Sequence, residues 1–222
     1  MSHALFVSPH LDDAVFACGD RILDSDAPVV VTIFGGFAPA GGPTAWDREC
    51  GFAAGDDVVA MRRAEDRAAL EMLGATPVWL DFRDDQYGEP RTETQIASSL
   101  AKVVDRHAPD AIHVPLGLFH ADHRRASDAA LMLVDSSRTW IVYVYADAIY
   151  RNLPGAIGER VARLERAGYR LAPLDVPAHA ASPRKREAIA CYRSQLRALR
   201  QRSSLDDVYA PERYWTLERK LR

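Results

Sequence analysis

The sequence predicts an α/β fold: a mostly parallel sheet with helices on both faces, formed by a single domain over residues 1–222. Three observations point there. Short, nearly continuous apolar runs recur along the chain, as strands covered on both faces require. Amphipathic stretches of helical period separate them, so strands and helices alternate. No internal repeat, low-complexity tract or linker divides the 222 residues, a length suited to one well-buried core.

The elements follow in order. Residues 4–8 read as a buried strand, 13–23 as a helix and 29–34 as a second strand. A long glycine-rich loop spans 35–57, with Gly35-Gly36 and Gly41-Gly42 but no GxGxxG, so no dinucleotide site is expected. A helix over 58–73 stops at Gly74. A short strand at 78–80, a helix over 94–106 and a strand at 111–114 come next. A further helix begins near Asp122, and strands are expected at 140–145 and, with a weaker pattern, at 169–176. Ser182-Pro183 opens a last long helix, serine as N-cap and proline in the first turn. Its apolar stripe is Ile189, Tyr192, Leu196 and Leu199. Its other face is basic: Arg184, Lys185, Arg186, Arg193, Arg197, Arg200 and Arg202. A solvated face is the expectation, and contact with an anionic substrate or partner the alternative.

Composition excludes several classes. Hydrophobic residues make up 48% and charged residues 27%, ordinary for a globular domain. The formal charge of −3, from 28 basic and 31 acidic residues, asks for neither nucleic acid nor an anionic membrane. No apolar run is long enough to cross a bilayer. The first residues lack a basic stretch followed by an apolar one, so a cytoplasmic location is expected. Cys18, Cys50 and Cys191 are odd in number and form no CxxC pair, which fits free thiols rather than disulfides or a thiolate metal site.

In a parallel α/β sheet, ligands sit beyond the carboxyl ends of the strands. Directly after the first strand stands Pro9-His10-Leu11-Asp12-Asp13. After the strand at 111–114 stands a segment ending His120-Ala121-Asp122-His123. Three histidines and three aspartates therefore share one end of the sheet. Imidazole and carboxylate are zinc ligands, and three of them with a position left for water make a catalytic site. Such an ion lowers the pKa of its water to about 7 and polarises a carbonyl. Of two adjacent carboxylates, one can bind metal and the other serve as general base. His120 and His123, three apart, fall on one side of a helical turn. Against this, Asp12 or Asp13 could be a helix N-cap, as could Asp122.

These segments resemble those of the LmbE-like (PIG-L) deacetylases, whose usual forms are PHPDD-like and HPDH-like. The resemblance spans most of the chain. Arg62-Arg63-Ala64-Glu65, leading to Leu73-Gly74, looks like the family's RxxE helix, and Lys185 with Ser194-Gln195 looks like its late helix. The resemblance implies a Rossmann-like three-layer fold and N-deacetylation of N-acetylglucosamine conjugates, such as those of phosphatidylinositol, mycothiol, bacillithiol and antibiotic precursors. It implies His10, Asp13 and His123 as ligands of Zn2+, with another divalent metal such as Fe2+ open. Asp12 would be the general base acting on a metal-bound water. His120 would stabilise the tetrahedral intermediate or protonate the amine, and Asp122 would orient His120 or His123. Leu11 and Ala121 stand where proline is common. Leu118 stands where some members carry a tyrosine that polarises the carbonyl, a role that is vacant here or filled from elsewhere, with Tyr145 and Tyr150 as candidates. The chain is also shorter than many members, which implies a reduced substrate-capping region.

Substrate contacts are expected from Arg62, Asp84, Asp85, Trp46 and Asp147. Each has a plainer alternative: a charge paired along its helix for Arg62, turn residues for the aspartates, and a packing anchor for Trp46. The partner expected is a small amino-sugar conjugate; the oligomeric state is not legible. Competing readings are an amidase acting on a larger sugar-thiol conjugate, a non-haem iron oxygenase with two histidines and a carboxylate, and a non-catalytic sugar-binding domain.

Overall fold

A computed structural model describes residues 3–38, 42–88, 91–134, 140–176, 179–202 and 205–219. Gly41 and the side chain of Arg202, singled out above, lie outside them. Among the described residues, seven strands form one sheet in the order β3-β2-β1-β4-β5-β7-β6. They are β1 (His3–Ser8), β2 (Asp26–Thr32), β3 (Thr76–Trp79), β4 (Ala111–Pro115), β5 (Ile141–Tyr145), β6 (Tyr169–Leu174) and β7 (Tyr214–Arg219). Strands β1 to β5 pair in parallel, with Leu5 opposite both Val29 and Ile112. The last two strands are antiparallel, β7 inserting between β5 and β6. The expected α/β architecture with a mostly parallel sheet is therefore present.

Alternation within the strands feeds two cores. Leu5, Val7, Val29 and Val31 pack on one face, with Ile96 and Leu100 of α4 (Glu93–His107) and Ala126 and Ala130 of α5 (Ala121–Val134). Ala4, Phe6 and Val30 pack on the other, with Phe16 of α1 (Asp13–Leu23) and Leu70 of α3 (Val58–Met72). Both faces of each central strand are covered, which is why the sequence shows apolar runs and not polar alternation. Among the described residues, no helix is long and apolar enough to cross a membrane.

Four features depart from expectation. The glycine-rich loop contains a short helix, α2 (Ala45–Cys50), closed by a Thr44–Asp47 capping box. Helix α6 (Ala156–Arg166) and strand β7 were not anticipated: α6 has an interior glycine among several charged residues, and β7 ends in charges. The final long helix is instead two, α7 (Pro183–Ile189) and α8 (Arg193–Arg202), followed by α9 (Asp206–Tyr209). Its break has a cause. The Ser194 N–H and hydroxyl both donate to the Glu65 carboxylate of α3, at 3.0 and 2.6 Å, and Tyr192 turns inward to donate to Asp66 at 2.7 Å. Side chains from α3 thus supply a fresh helix start where the ladder would have continued.

The basic face also needs correction at one position. Lys185 is 0% exposed and lies 2.6 Å from Glu212, which also accepts the Asp20 N–H and the Tyr214 hydroxyl. Gly19 admits the lysine stem, since a Cβ there would lie 2.7 Å from Lys185 Cγ. Arg184, Arg186, Arg193, Arg197 and Arg200 are exposed as expected. Cys18 and Cys50 are buried, Cys191 is half-buried, and all three are free thiols.

Candidate metal centre

The chain runs from β1 outward to β2 and β3, then returns to place β4 on the other side of β1. The crevice at that reversal is where open α/β sheets bind ligands. The segments after β1 and β4 meet there.

Ser8 at the end of β1 shapes the first segment. Its hydroxyl donates to the His10 carbonyl (2.6 Å) and accepts the Ala14 N–H (3.0 Å). One orphan donor of the first turn of α1 is thereby satisfied. Asp12 occupies the N-cap position but its side chain makes no cap bond. Its carboxylate is left for other work. Asp13 Oδ2 accepts the His10 N–H at 2.9 Å and lies 3.2 Å from both His10 Nδ1 and His123 Nε2.

Each of these imidazoles gives its other nitrogen to a buried carboxylate. His123 Nδ1 lies 2.6 Å from Asp147 Oδ1. The second oxygen of Asp147 accepts the N–H groups of Gly117 (2.9 Å) and Leu118 (3.0 Å). Gly117 is obligatory here: φ is +83°, and a Cβ would lie 2.7 Å from Ser127 Cβ and 3.0 Å from the His123 carbonyl oxygen. His10 Nε2 lies 3.2 Å from Asp122 Oδ2. Carboxylates on the far nitrogen fix ring orientation and raise basicity in metal-ligating histidines.

Ligand atoms of His10, Asp13 and His123 lie within 4.8 Å of one another, so this set can hold a divalent ion. His10, His120 and Asp122 satisfy the same distance. That set fits an ion less well, because Asp122 is already engaged by the Asp85 N–H (3.0 Å) and by Arg125 (2.7 Å). Asp122 was expected to orient His120 or His123. Its carboxylate instead reaches across the crevice to His10, and only its main-chain N–H meets His120, at Nδ1 (3.2 Å). Accepting that bond leaves the His120 proton on Nε2, so the ring is a hydrogen-bond donor on its other side.

The electrostatics divide the residues into roles. Burial pulls His123 down, but the carboxylates of Asp13 and Asp147 outweigh it and hold it up at about 9. Burial is likewise outweighed at His10, which Asp84, Asp122 and Asp13 raise well above its usual range. Asp13 resists burial and is held well below the usual carboxylate range by His123 and His10. Asp12 is pushed up to about 7 by burial and then by the Asp13 charge, with Arg62 and the two histidines opposing. His120 is lowered by burial and by the neighbouring histidines, so it is neutral at pH 7. A divalent cation would displace the imidazole protons and pair with Asp13. The donor set thus fits the group the sequence implies.

The expected substrate residues divide. Arg62 is buried beside the centre, 3.8 Å from Asp84 Oδ2, and its Nε has no partner among the described residues. Asp84 lies 3.8 Å from His10 Nε2 and accepts hydrogen bonds from Gln86. Asp85 reaches the centre only through its N–H; its side chain is exposed. Trp46 is half-buried between two apolar clusters, its indole N–H donating to Gln195 (3.2 Å). Asp147, expected on the crevice wall, is instead fully buried behind His123. Tyr145 is excluded from the role vacated at Leu118, because its buried hydroxyl donates to the Val7 carbonyl at 2.6 Å. Tyr150 remains, its ring centroid 5.1 Å from that of His123 and 5.4 Å from that of Phe119. Phe119 is exposed and has a left-handed φ of 56°.

Sequence reasoning missed Ser8 and the carboxylate role of Asp147. The signal for Ser8 was a hydroxyl at a strand end six residues before Ala14; for Asp147 it was only its place after β5. The RxxE and serine-glutamine segments, each weak alone, explain one another through the Glu65–Ser194 bonds.

Comparison with known proteins gives a consistent picture. A deacetylase–bog complex from the biosynthesis pathway of teicoplanin superposes with TM-score 0.81 at 23% identity, covering 98% of each chain. A deacetylase triple mutant (Orf2*T) of the teicoplanin pathway gives 0.77 at 26% identity, again over 98% of each. GalB, the 4-carboxy-2-hydroxymuconate hydratase from Pseudomonas putida KT2440, gives 0.61 at 18% identity over 100% of this chain and 98% of its own. The fold therefore does not by itself choose the reaction. Comparison with curated protein sequences gives no match. The family model for PIG-L, GlcNAc-PI de-N-acetylase, matches residues 5–134, more than half of the chain and both halves of the centre. The chain belongs to the PIG-L family of GlcNAc-PI de-N-acetylases.

Proposed function

We propose that the protein is a zinc-dependent hydrolase that removes an N-acetyl or similar N-acyl group from an amino-sugar conjugate. The observation that carries this reading is the convergence of His10, Asp13 and His123 around one point, 3.2 Å from each imidazole to the shared carboxylate oxygen, with Asp12 adjacent and uncommitted. Family membership supports amide hydrolysis, and neighbours that are deacetylases of the teicoplanin biosynthesis pathway support an acylated conjugate as substrate.

His10, Asp13 and His123 would hold the ion. Its charge, when bound, polarises an acyl carbonyl and acidifies a nearby water. Asp12, uncommitted as a helix cap and adjacent to the ligand Asp13, takes the proton of the attacking water. His120, neutral with its proton on Nε2, donates to the oxygen that becomes negative as the tetrahedral centre forms. The proton held by Asp12 then passes to the departing amine, and the acid leaves as acetate. Asp147 and Asp122 keep His123 and His10 in their tautomers and orientations. Arg62 and Asp84 line the approach and suit sugar hydroxyls or a phosphate.

The test is acetate release from a panel of N-acetylated sugars, nucleotide sugars and glycosides, with zinc and with chelator. Zinc-dependent release that disappears in Asp12→Asn is the expected result. Release that survives both the chelator and that substitution would defeat the reading. Tight sugar binding without any turnover would instead favour a binding domain, and oxygen consumption would favour an iron enzyme.

A further inference from the structure

A cavity of about 490 Å³ lies on the outer side of α8, lined by Ala190, Arg193, Leu196, Arg197, Arg200, Gln201 and Tyr209. Its volume is within the range of small-molecule sites. None of these residues belongs to the metal centre. Three are arginines and none is acidic. Their spacing, i, i+4 and i+7, stacks the three guanidinium groups along one face of the helix.

Among the described residues, Arg193, Arg197 and Arg200 make no ion pair, and their side chains make no hydrogen bond to the protein. Their guanidinium groups are therefore not neutralised by a neighbouring carboxylate, as those of Arg62, Arg125 and Arg160 are. Like charges at helical neighbours repel one another, so this face is strengthened by an anion that neutralises them. Three such groups facing one cavity, on a protein of formal charge −3, concentrate positive potential there.

Two further features shape the cavity. Gly51 ends α2 with φ +98°, and a Cβ there would lie 2.4 Å from Arg197 Nη1. The glycine therefore leaves the guanidinium its place. Tyr209 forms a wall, and Arg186 lies over its ring, 5.0 Å from the centroid, bringing a fourth positive charge. Arginine forks and a phenol suit a compact, multiply charged oxyanion better than a single carboxylate, because several oxygens can be shared among several donors.

We propose that this face of α8 is a binding site for a small phosphorylated ligand, separate from the metal centre. Its chemistry is that of a phosphate monoester or diphosphate held by Arg193, Arg197 and Arg200, with Tyr209 and Gln201 available to the remaining oxygens. The proposal does not depend on which acyl substrate the centre accepts.

The experiment is calorimetric titration of the metal-loaded protein with inorganic pyrophosphate at constant ionic strength, with sulfate and acetate as comparison anions. Saturable binding with preference for pyrophosphate is expected, weakened about tenfold or more, roughly 1.4 kcal/mol, in Arg193→Gln/Arg197→Gln/Arg200→Gln. A triple Arg→Gln control at the exposed positions 163, 166 and 170 should bind as the parent does. Circular dichroism melts of both variants establish that they are folded. Absence of saturable binding, equal loss in the control, or a single event that survives the α8 substitutions and vanishes in His123→Ala would overturn the proposal, the last by assigning the anion to the metal centre.

Discussion

Asp12 and Asp13 are neighbours with opposite fates, and the cause is local. Asp13 lies 3.2 Å from two imidazoles and is held ionised; Asp12 feels those rings less than it feels burial and the Asp13 charge, and is pushed up to about 7. Replacing Asp12 with Asn should lower kcat by about 10²–10⁴-fold while leaving bound zinc unchanged, as measured by acetate release and metal analysis of one preparation. Loss of metal in that variant would mean that Asp12 is a ligand and not a base. Asp147 makes the reverse prediction. Asp147→Asn should weaken metal affinity by about 10–100-fold, read by competition with a chromogenic chelator, because His123 loses the acceptor that orients it. His113 belongs at this scale too, although it is remote in role. It is stacked between Phe6 (4.3 Å) and Tyr143 (4.8 Å), its Nδ1 has no partner among the described residues, and burial lowers its pKa to about 3. A folded-state pKa below the unfolded one means that the unfolded chain binds more protons, so stability is lost as pH falls below about 6.5 toward 3. By pH 5 the loss should reach about 2 kcal/mol. His113→Phe keeps the stack and removes both the orphan nitrogen and the titration, so its denaturant midpoint should fall less steeply between pH 7 and 5. An unchanged slope would show that other groups dominate the acid limb.

At the scale of elements, the junction of α7 and α8 holds two motifs together. Glu65 on α3 takes both donors of Ser194, and Asp66 takes the Tyr192 hydroxyl and the Trp79 indole N–H. The adjacent Gln195 binds Trp46 in the loop that carries α2. Glu65 and Asp66 are therefore the side chains by which α3 sets the position of the C-terminal helices. Asp66→Ala leaves a buried hydroxyl and an indole N–H without acceptors and should cost about 1–3 kcal/mol for each group left unpaired, measured by urea unfolding. Arg62 sits one turn earlier on the same helix, beside the metal centre. If Arg62 contacts the substrate as proposed, the same variant should raise KM more than it lowers kcat, since α3 carries none of the proposed reacting groups.

For the whole molecule, the centre joins segments more than a hundred residues apart, on α1 and α5, with Asp147 after β5. An ion bound there exists only in the folded state and stabilises it by mass action, by about 2.7 kcal/mol at a free concentration 100 times Kd. For a chain of this size that corresponds to a rise in Tm of about 5–10 °C. Removing zinc with a chelator should lower Tm by that amount, and His123→Ala should melt at the same temperature with and without zinc. A persistent zinc response in that variant would place the stabilising ion elsewhere.

The apolar runs, the helical stripes, and two charged segments directly after predicted strands were enough to read the α/β class and to bring His10, Asp12, Asp13, His120, Asp122 and His123 to one end of the sheet. These are local patterns: strand period, helix period and position after a strand lie within a few consecutive residues, where the chain's own chemistry speaks. The antiparallel insertion of β7, the break before α8, the turn of Asp122 toward His10, and the burial of Lys185 and Asp147 were not legible. Each depends on a partner distant in sequence: Glu65 for Ser194, Glu212 for Lys185, the Gly117 and Leu118 N–H groups for Asp147. A carboxylate or ammonium group looks the same in the sequence whether it will face water or a buried counter-group. Which of these it meets is settled by packing, when the sheet order brings the partner within hydrogen-bonding distance.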